Sequence, residues 1–342
     1  MNTLKNQSKN TIPIFFASDA NYLPFLTVTL YSLKENASKN YNYKIYVLHA
    51  GINETSKQDV LSFNDQNFSI EFVDVSANLE SVKNSLQLRD YYTGATYYRI
   101  FIANMFPKYD KAIYLDCDTI VLGDISKLYA YSLNDEIVGG VTDGIVSSNE
   151  VFKEYCSEVL GVDAKNYFNA GVILINLKKF REENYFEKFC ALLKEYKFSV
   201  AQDQDYLNVL CKDKVKYLPY SWNVMPVGKE GSKKPNLIHY NLTLKPWHYA
   251  DIPYAKEFWQ YAKLTKFYNQ ILSILNSYTD KEKERDKQAE IGLIKLAQSE
   301  IDREDNFIKV RRKAQENYSE ALKTKAEDFF KNDSNILSVT KV

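Results

Sequence analysis

The sequence predicts an α/β fold with a mostly parallel sheet that is flanked by helices. Two observations support this prediction: short apolar runs alternate with segments of helical periodicity from residue 12 to about residue 275, and several of these runs end in polar side chains. Such runs are typical of buried parallel strands, which are joined by crossover helices. With 342 residues, of which 45% are hydrophobic, the chain can bury one large core or two smaller ones.

The amino-terminal part begins as strand, helix, strand, helix, strand. The apolar run IPIFFAS ends in a polar patch, and the helix after it begins near Pro24. The predicted elements are a strand over 12–18, a helix over 24–37, a strand over 43–52, a helix over 53–65 and a strand over 68–76. This order is typical of the start of a parallel sheet.

The alternation continues to about residue 241. A helix that begins at Ala95 stops near Pro107, because proline cannot continue a helix. The later predicted elements are a strand over 111–124, an apolar strand ahead of Asp143, a strand over 168–177, a helix over 178–196, a short helix from Asp203 and a last short strand over 236–241.

The composition changes after about Tyr278. The segment 279–342 is rich in charges of both signs, contains no proline and has one glycine. Apolar residues at helical spacing around Ile294 and Ala297 predict an amphipathic helix or a helical hairpin. Two interpretations stay open: an extension packed on its own domain, or an arm that binds a partner or forms an oligomer.

Composition gives no reason to expect a nucleic acid partner, because 44 basic side chains balance 44 acidic ones. The four cysteines lack the spacing of a zinc site or a disulfide scaffold. The amino terminus has no apolar secretory segment, and no window approaches the ~20 apolar residues of a membrane span. We therefore expect a cytoplasmic protein. Peripheral contact with the inner face of a membrane stays open as a hypothesis.

Two aspartates mark the end of the most clearly apolar strand. In YLDCDTIV, Asp116 and Asp118 are two residues apart, so both carboxylates lie on one side of the chain. Ligands of open α/β sheets bind at the carboxyl ends of strands, and paired carboxylates suit a divalent cation. His239, which follows the last apolar run, would complete a site that suits manganese better than calcium.

Asp143 follows an apolar strand in the segment GGVTDGIV. Asp143 is a candidate catalytic residue, whose carboxylate would orient a hydroxyl of a substrate. An aspartate before a glycine is also an ordinary turn, so both interpretations stay open.

The chain resembles glycosyltransferase family 8, the retaining enzymes that include bacterial lipopolysaccharide galactosyltransferases and the glycogenins. The resemblance covers roughly residues 12–275 and lies in five blocks: FFASDANYLPFLTVTLYSL, ATYYRIFIANMFP, YLDCDTIVLGDI, YFNAGVILINL with DQDYLN, and HYNLTLKPWH. It implies a Rossmann-like, GT-A type nucleotide-diphospho-sugar transferase domain over 10–275, followed by a charged helical extension over 279–342.

The resemblance also implies roles for individual residues. The implied donor-binding residues are Asp19, Asn21 and Tyr22 for the uridine, Arg99 for the sugar or diphosphate, Asn169, Ala170 and Gly171 for the sugar pocket, and Lys245 for the diphosphate. The implied metal ligands are Asp116, Asp118 and His239, with manganese as the cofactor and magnesium as the alternative. Asp203 and Gln204 would lie at the reactive face of the sugar. One departure is Leu242, where relatives often have a glycine whose backbone approaches the diphosphate.

The implied activity is transfer of a hexose, glucose or galactose, from a UDP-sugar to a hydroxyl of a saccharide or glycoprotein with retention of configuration. The implied setting is the synthesis of bacterial cell-surface glycans. Two alternatives stay open at this point. One is an aspartate-nucleophile phosphohydrolase, in which Asp116 attacks phosphorus. The other is a protein that binds nucleotide sugars without turning them over.

Overall fold

The computed structural model describes residues 10–80, 94–227, 234–320 and 323. Its strands are β1 (Thr11–Ala17), β2 (Asn42–His49), β3 (Phe68–Asp74), β4 (Ala112–Leu115), β5 (Thr119–Val121), β6 (Val138–Thr142), β7 (Phe168–Ile175), β8 (Val215–Tyr217) and β9 (Leu237–His239). Seven of them form one sheet in the order β3-β2-β1-β4-β7-β6-β8, and β5 pairs with β9 in a second, smaller sheet.

The large sheet is mixed and mostly parallel, as predicted. Strands β1 to β4 run parallel to one another, and β8 runs parallel to β6. Strand β7 is antiparallel to both of its neighbours, β4 and β6. The amino end of β7 therefore lies at the same sheet edge as the carboxyl ends of β1, β4 and β6.

The helices of the first half are α1 (Leu23–Asn36), α2 (Glu54–Leu61), α3 (Ser76–Glu80), α4 (Tyr98–Met105), α5 (Ile125–Tyr129), α6 (Gly144–Ser148) and α7 (Glu150–Tyr155). Those of the second half are α8 (Leu177–Glu182), α9 (Tyr185–Glu195), α10 (Asp203–Leu210), α11 (Ala255–Ala262), α12 (Tyr268–Ser277), α13 (Asp280–Asp302) and α14 over 307–320. Short 3₁₀ or π turns cover Gly94–Tyr97, Cys156–Leu160, Ala164–Asn166 and Tyr220–Trp222.

Helices cover both faces of the sheet, because its strands are apolar on both sides. In β1, Phe15 packs into one core cluster, while Ile14 and Phe16 pack into another on the opposite face. A third cluster surrounds the small sheet, where Trp247 stacks on Phe25 with ring centroids 3.7 Å apart. The predicted α/β architecture with flanking helices is confirmed.

Three of the differences from the sequence prediction are two predicted elements that are split and one strand that was missed. The single strand predicted over 111–124 is split into β4 and β5, because the chain leaves the large sheet between Asp116 and Asp118. The helix predicted over 178–196 is split at Asn184, whose φ of 55° is left-handed and cannot continue a helix. Strand β8, a short and half-buried edge strand, was not predicted.

The carboxy-terminal segment contains the predicted helical pair. Ala297 and Ile301 of α13 are buried in the same core cluster as one face of the large sheet, and Phe307 at the start of α14 joins them. The predicted division into a domain over 10–275 and an extension over 279–342 stays a prediction, and residues 321, 322 and 324–342 lie outside the described part. No helix among the described residues has the length and apolar character of a membrane span.

Candidate active site

The predicted site residues converge because several chain segments meet at one sheet edge. Asp19 follows β1, Asp116 follows β4 and Asp143 follows β6, all at the carboxyl end of the strand. Since β7 is antiparallel, its first residues, Phe168–Gly171, lie at this edge as well. The polar residues that follow these apolar strands are therefore brought together although they are far apart in sequence.

Asp116 and Asp118 lie where the chain passes from the large sheet to the small one. The amide of Asp116 donates to the carbonyl of Gly171 over 2.8 Å, and the amide of Tyr240 donates to the carbonyl of Asp118 over 2.9 Å. These backbone bonds fix both aspartates against neighbouring segments. Asp118 is buried and Asp116 is half-buried.

His239 joins the two aspartates because β9 pairs with β5, which places it opposite Thr119. Its Nε2 lies 3.3 Å from Asp118 Oδ1 and 3.6 Å from Asp116 Oδ2. Candidate ligand atoms of the three side chains all lie within 4.8 Å of one another. The structure therefore brings together the three residues that the sequence predicts as metal ligands.

A chain of hydrogen bonds fixes the tautomer of His239. The carboxylate of Asp143 can only accept, so the amide nitrogen of Asn169 donates to its Oδ2 over 3.0 Å. This leaves Asn169 Oδ1 to accept from Asn223 Nδ2 over 2.9 Å, and Asn223 Oδ1 to accept from His239 Nδ1 over 3.1 Å. Nδ1 of His239 therefore carries a proton, and Nε2 is the ring nitrogen that faces the two aspartates.

This arrangement fits a divalent cation. Oxygens of both carboxylates converge with His239 Nε2, and a cation between them would offset the repulsion of the two negative charges. Asp118 Oδ1 is buried and has no hydrogen-bond partner among the described residues. Two carboxylates and one neutral imidazole are a donor set that suits manganese.

Gly171 leaves room for this group of ligands. A Cβ atom at this position would collide with His239 Cε1 and with Asp116 Oδ2. The close approach of the β7 backbone to the metal ligands therefore requires a residue without a side chain.

Asp143 and Gln204 form the opposite side of the site. Asp143 Oδ1 accepts from the amides of Ile145 and Val146, which caps α6. Its Oδ2 accepts from Gln204 Nε2 over 3.2 Å as well as from Asn169, and Gln204 Oε1 accepts from the amide of Ala170 over 2.8 Å. Both proposed interpretations of Asp143 therefore have a basis, since it caps a helix and also lines the cavity.

Arg99 is buried behind the aspartates. Its guanidinium lies 3.3 Å from Asp116 Oδ1 and 3.0 Å from Asp203 Oδ2, and it also donates to the carbonyl of Ala170. Burial raises the pKa of Asp203 to about 7, although the charge of Arg99 opposes this shift. Asp203 Oδ2 is ion-paired but has no hydrogen bond among the described residues, because Arg99 Nε donates to the carbonyl of Thr96 instead.

Lys245 reaches the same group of charges from the small sheet. Its buried ammonium forms an ion pair with Asp118 Oδ2 and donates to the carbonyl of Tyr240. Burial alone would raise the pKa of Asp118, but Lys245 and His239 outweigh it and hold this pKa well below its ordinary value. Burial lowers the pKa of Lys245, but the charge of Asp118 outweighs this effect and raises it.

Leu242, which stands where relatives often have glycine, precedes Lys245 in a left-handed conformation with a φ of 52°. This left-handed conformation favours glycine. Leucine adopts this conformation at a cost.

The predicted uridine-binding residues lie at the start of α1. Asp19 Oδ1 accepts from the amides of Asn21 and Tyr22, over 2.9 and 3.1 Å. Asp19 and Tyr22 line the same cavity as the metal ligands, whereas Asn21 is exposed and does not.

One cavity of about 210 Å³ connects these groups. A single water needs only about 10–15 Å³ of such space, so the cavity can hold a larger ligand. The predicted site residues that line it are Asp19, Tyr22, Arg99, Asp116, Asp118, Asp143, Asn169, Ala170, Gly171, Asp203, Gln204, His239 and Lys245.

Sequence reasoning missed two buried polar residues of the site. Asn223 follows Trp222 in an irregular stretch, and only its contact with His239 reveals its role. Asp205 accepts hydrogen bonds from the hydroxyls of Tyr155 and Tyr167 and from the amide of Ala201. Its place in the motif DQD, directly after the predicted pair Asp203 and Gln204, was the available signal.

We expect Asn223→Ala to weaken manganese binding about 10- to 100-fold, because His239 loses the partner that fixes its tautomer and ring orientation. The measurement is a titration of free manganese by electron paramagnetic resonance, without nucleotide. Asn236→Ala is the matched control, since the amide of Asn236 binds Ser221 rather than His239. Wild-type affinity in Asn223→Ala would refute the role assigned to this amide.

Comparisons with known proteins agree with the fold and the site. The model of the family "Glycosyl transferase family 8" matches residues 13–251. A Haemophilus influenzae protein described as a glycosyltransferase is 30% identical over 251 residues, which are 73% of each chain. An Escherichia coli K12 lipopolysaccharide 1,2-glucosyltransferase is 28% identical over 266 residues, 71% of this chain and 76% of the relative.

Among solved structures, the galactosyltransferase LgtC in complex with donor and acceptor sugar analogues is similar with a TM-score of 0.64 and 28% identity. The match covers 75% of this chain and 96% of LgtC. All of these matches are to glycosyltransferases, which leaves the phosphohydrolase alternative without support. The chain belongs to glycosyltransferase family 8 and has the GT-A type fold.

Proposed function

We propose that this glycosyltransferase moves a hexose from a UDP-sugar to a hydroxyl of a saccharide or glycoprotein, with retention of configuration and with manganese as cofactor. One observation carries the proposal. A single cavity has the aspartates, His239 and Lys245 on one side, and Asp143, Asn169 and Gln204 on the other. The first set suits a departing diphosphate, and the second suits the hydroxyls of a sugar.

Lys245 and the metal ligands serve the leaving group. Departure of UDP leaves negative charge on the diphosphate, and fixed positive groups in a buried site stabilise that charge as it develops. A cation held by Asp116, Asp118 and His239 supplies Lewis-acid stabilisation when it is bound. Lys245, which now neutralises Asp118, is near enough to supply a second positive charge to the same oxygens.

The uridine would lie at the start of α1. Asp19 and Tyr22 line the cavity there, and the aromatic ring of Tyr22 offers a face on which a base can stack. Asn21 is exposed, so we propose for it a contact at the rim rather than inside the cavity.

Gln204 and Asp143 would hold the sugar and the acceptor hydroxyl. Both groups of the Gln204 amide are hydrogen-bonded within the protein, so its orientation is fixed before a ligand enters. Neither Gln204 nor Asp203 is a ready nucleophile. Gln204 carries no charge, and the carboxylate of Asp203 is paired with Arg99. Retention through a covalent intermediate and retention by attack on the same face therefore both stay open.

The donor hexose and the acceptor are proposed from the relatives. The names of two relatives include a glucosyltransferase and a galactosyltransferase, which supports glucose or galactose as the donor sugar. A bacterial cell-surface glycan is the acceptor class that the lipopolysaccharide enzyme favours. The cytoplasmic location, the peripheral membrane contact and an oligomer through the carboxy-terminal helices stay predictions.

We expect manganese-dependent UDP release from one member of a UDP-sugar panel without any acceptor, and no release with EDTA. Asp118→Asn should abolish this release because it removes one of the two metal-binding carboxylates, while circular dichroism shows an intact fold. Asp251→Asn, which changes an exposed aspartate, is the control. Binding of UDP with manganese but no release from any donor, in the presence of a broad acceptor panel, would favour the binding-only alternative.

Lys245→Ala should have opposite effects on two ligands. We expect manganese without nucleotide to bind more tightly, since Asp118 loses its competing ammonium. UDP with manganese should bind about 10- to 100-fold more weakly, because one charge-assisted contact is worth about 1.5–3 kcal/mol. Calorimetric titration measures both affinities, with Lys256→Ala, an exposed lysine of α11, as control. Unchanged UDP affinity would show that Lys245 has a structural role only and does not bind the diphosphate.

A further inference from the structure

The loop that carries Lys245 is held by helix α13, which lies outside the matched family region of residues 13–251. The loop over 242–249 follows β9, which ends at His239. Two acidic side chains of α13, Asp286 and Glu290, contact it. They are four residues apart and so lie on one face of the helix.

Asp286 is the main contact. Its carboxylate is buried, with only 1% of the residue exposed, and a buried carboxylate is costly unless hydrogen bonds satisfy it. Asp286 Oδ2 accepts from the hydroxyl of Tyr249 over 3.0 Å and from that of Tyr278 over 2.6 Å. The ring of His248 stacks on Tyr278 at 4.0 Å, which fixes a second residue of the loop.

Backbone hydrogen bonds connect Tyr249, which is bound to Asp286, with Lys245. The carbonyl of Lys245 accepts from the amides of His248 and Tyr249, both over 2.9 Å. On the other side, the amide of Lys245 donates to the carbonyl of Thr243 over 2.8 Å. The backbone of Lys245 is thus fixed at both of its polar groups by residues of the loop.

Thr243 is itself held by the same helix. Its side chain is buried and donates to the carboxylate of Glu290. Leu293, one turn further along this face, lines the cavity that contains the metal ligands. Residues 286, 290 and 293 therefore follow one stripe of α13 that faces the site.

We propose that α13 positions the ammonium of Lys245 for the diphosphate, with Asp286 and Glu290 as positioning residues. This inference rests on the proposed function, since it assigns the diphosphate to Lys245. Helix α13, which lies beyond the family match, would thereby take part in donor recognition in this chain. The residues proposed for the uridine, Asp19 and Tyr22, lie outside this loop, although Phe25 of α1 stacks on its Trp247.

The test compares Asp286→Ala with wild-type full-length protein in two measurements. The first is hydrogen exchange of the amides of residues 240–249, read by mass spectrometry without ligand, which we expect to become faster. The second is the affinity for UDP and for uridine with manganese. We expect UDP to bind about tenfold more weakly while uridine is unaffected, because one charged contact is misplaced.

Further variants separate positioning from general destabilisation. Asp286→Asn keeps one acceptor oxygen and should restore part of the UDP affinity. Glu290→Ala removes the contact to Thr243 and should give a smaller loss of UDP affinity, again without a loss of uridine affinity. This variant is the test if Asp286→Ala does not fold. Glu284→Ala, on an exposed part of α13, is the matched control and should change neither measurement.

Unchanged exchange in residues 240–249, or an equal loss of affinity for UDP and uridine, would overturn the positioning role. A wild-type chain that does not bind UDP with manganese would instead refute the proposed function, and the diphosphate role of the loop with it. The positioning role alone would be refuted if the wild-type chain binds UDP and the variants keep the wild-type ratio of UDP affinity to uridine affinity.

Discussion

The proton on Nδ1 of His239 is the constraint on which the rest of the site depends. It is fixed by a relay that starts at the carboxylate of Asp143 and runs through the amides of Asn169 and Asn223. Each amide can be oriented in only one way, because an ionised carboxylate accepts and never donates. The contacts of Asp143 on one side of the cavity thus extend to the imidazole whose Nε2 faces the aspartates on the other, so the two halves form one hydrogen-bonded unit.

The second constraint is the balance of buried charge. Asp116 and Asp118 stand beside Arg99 and Lys245, and each charge is costly to bury unless it is paired. Lys245 satisfies one oxygen of Asp118, while the other is left without a hydrogen bond among the described residues. In the proposed function, a cation and the diphosphate of the donor would replace this internal ion pair.

The sequence predicted much of this architecture but not its supporting contacts. Alternating apolar strands and helices were enough for the fold, and the aspartates stood out because they end a clean apolar strand. Asn223 could not be found, since its partner is 16 residues away and the stretch around it is irregular. Asp286 could not be predicted for another reason. In a helix rich in charges, the sequence pattern of a buried aspartate is the same as that of a solvated one, and only tertiary packing distinguishes them.

The most direct measurement of the central claim is the anomalous scattering of manganese in crystals grown with UDP. The account predicts a peak within bonding distance of Asp116, Asp118 and His239 Nε2, with the ammonium of Lys245 moved from Asp118 to the diphosphate. A peak at other residues, or bound UDP without a peak and with Lys245 still paired to Asp118, would contradict it.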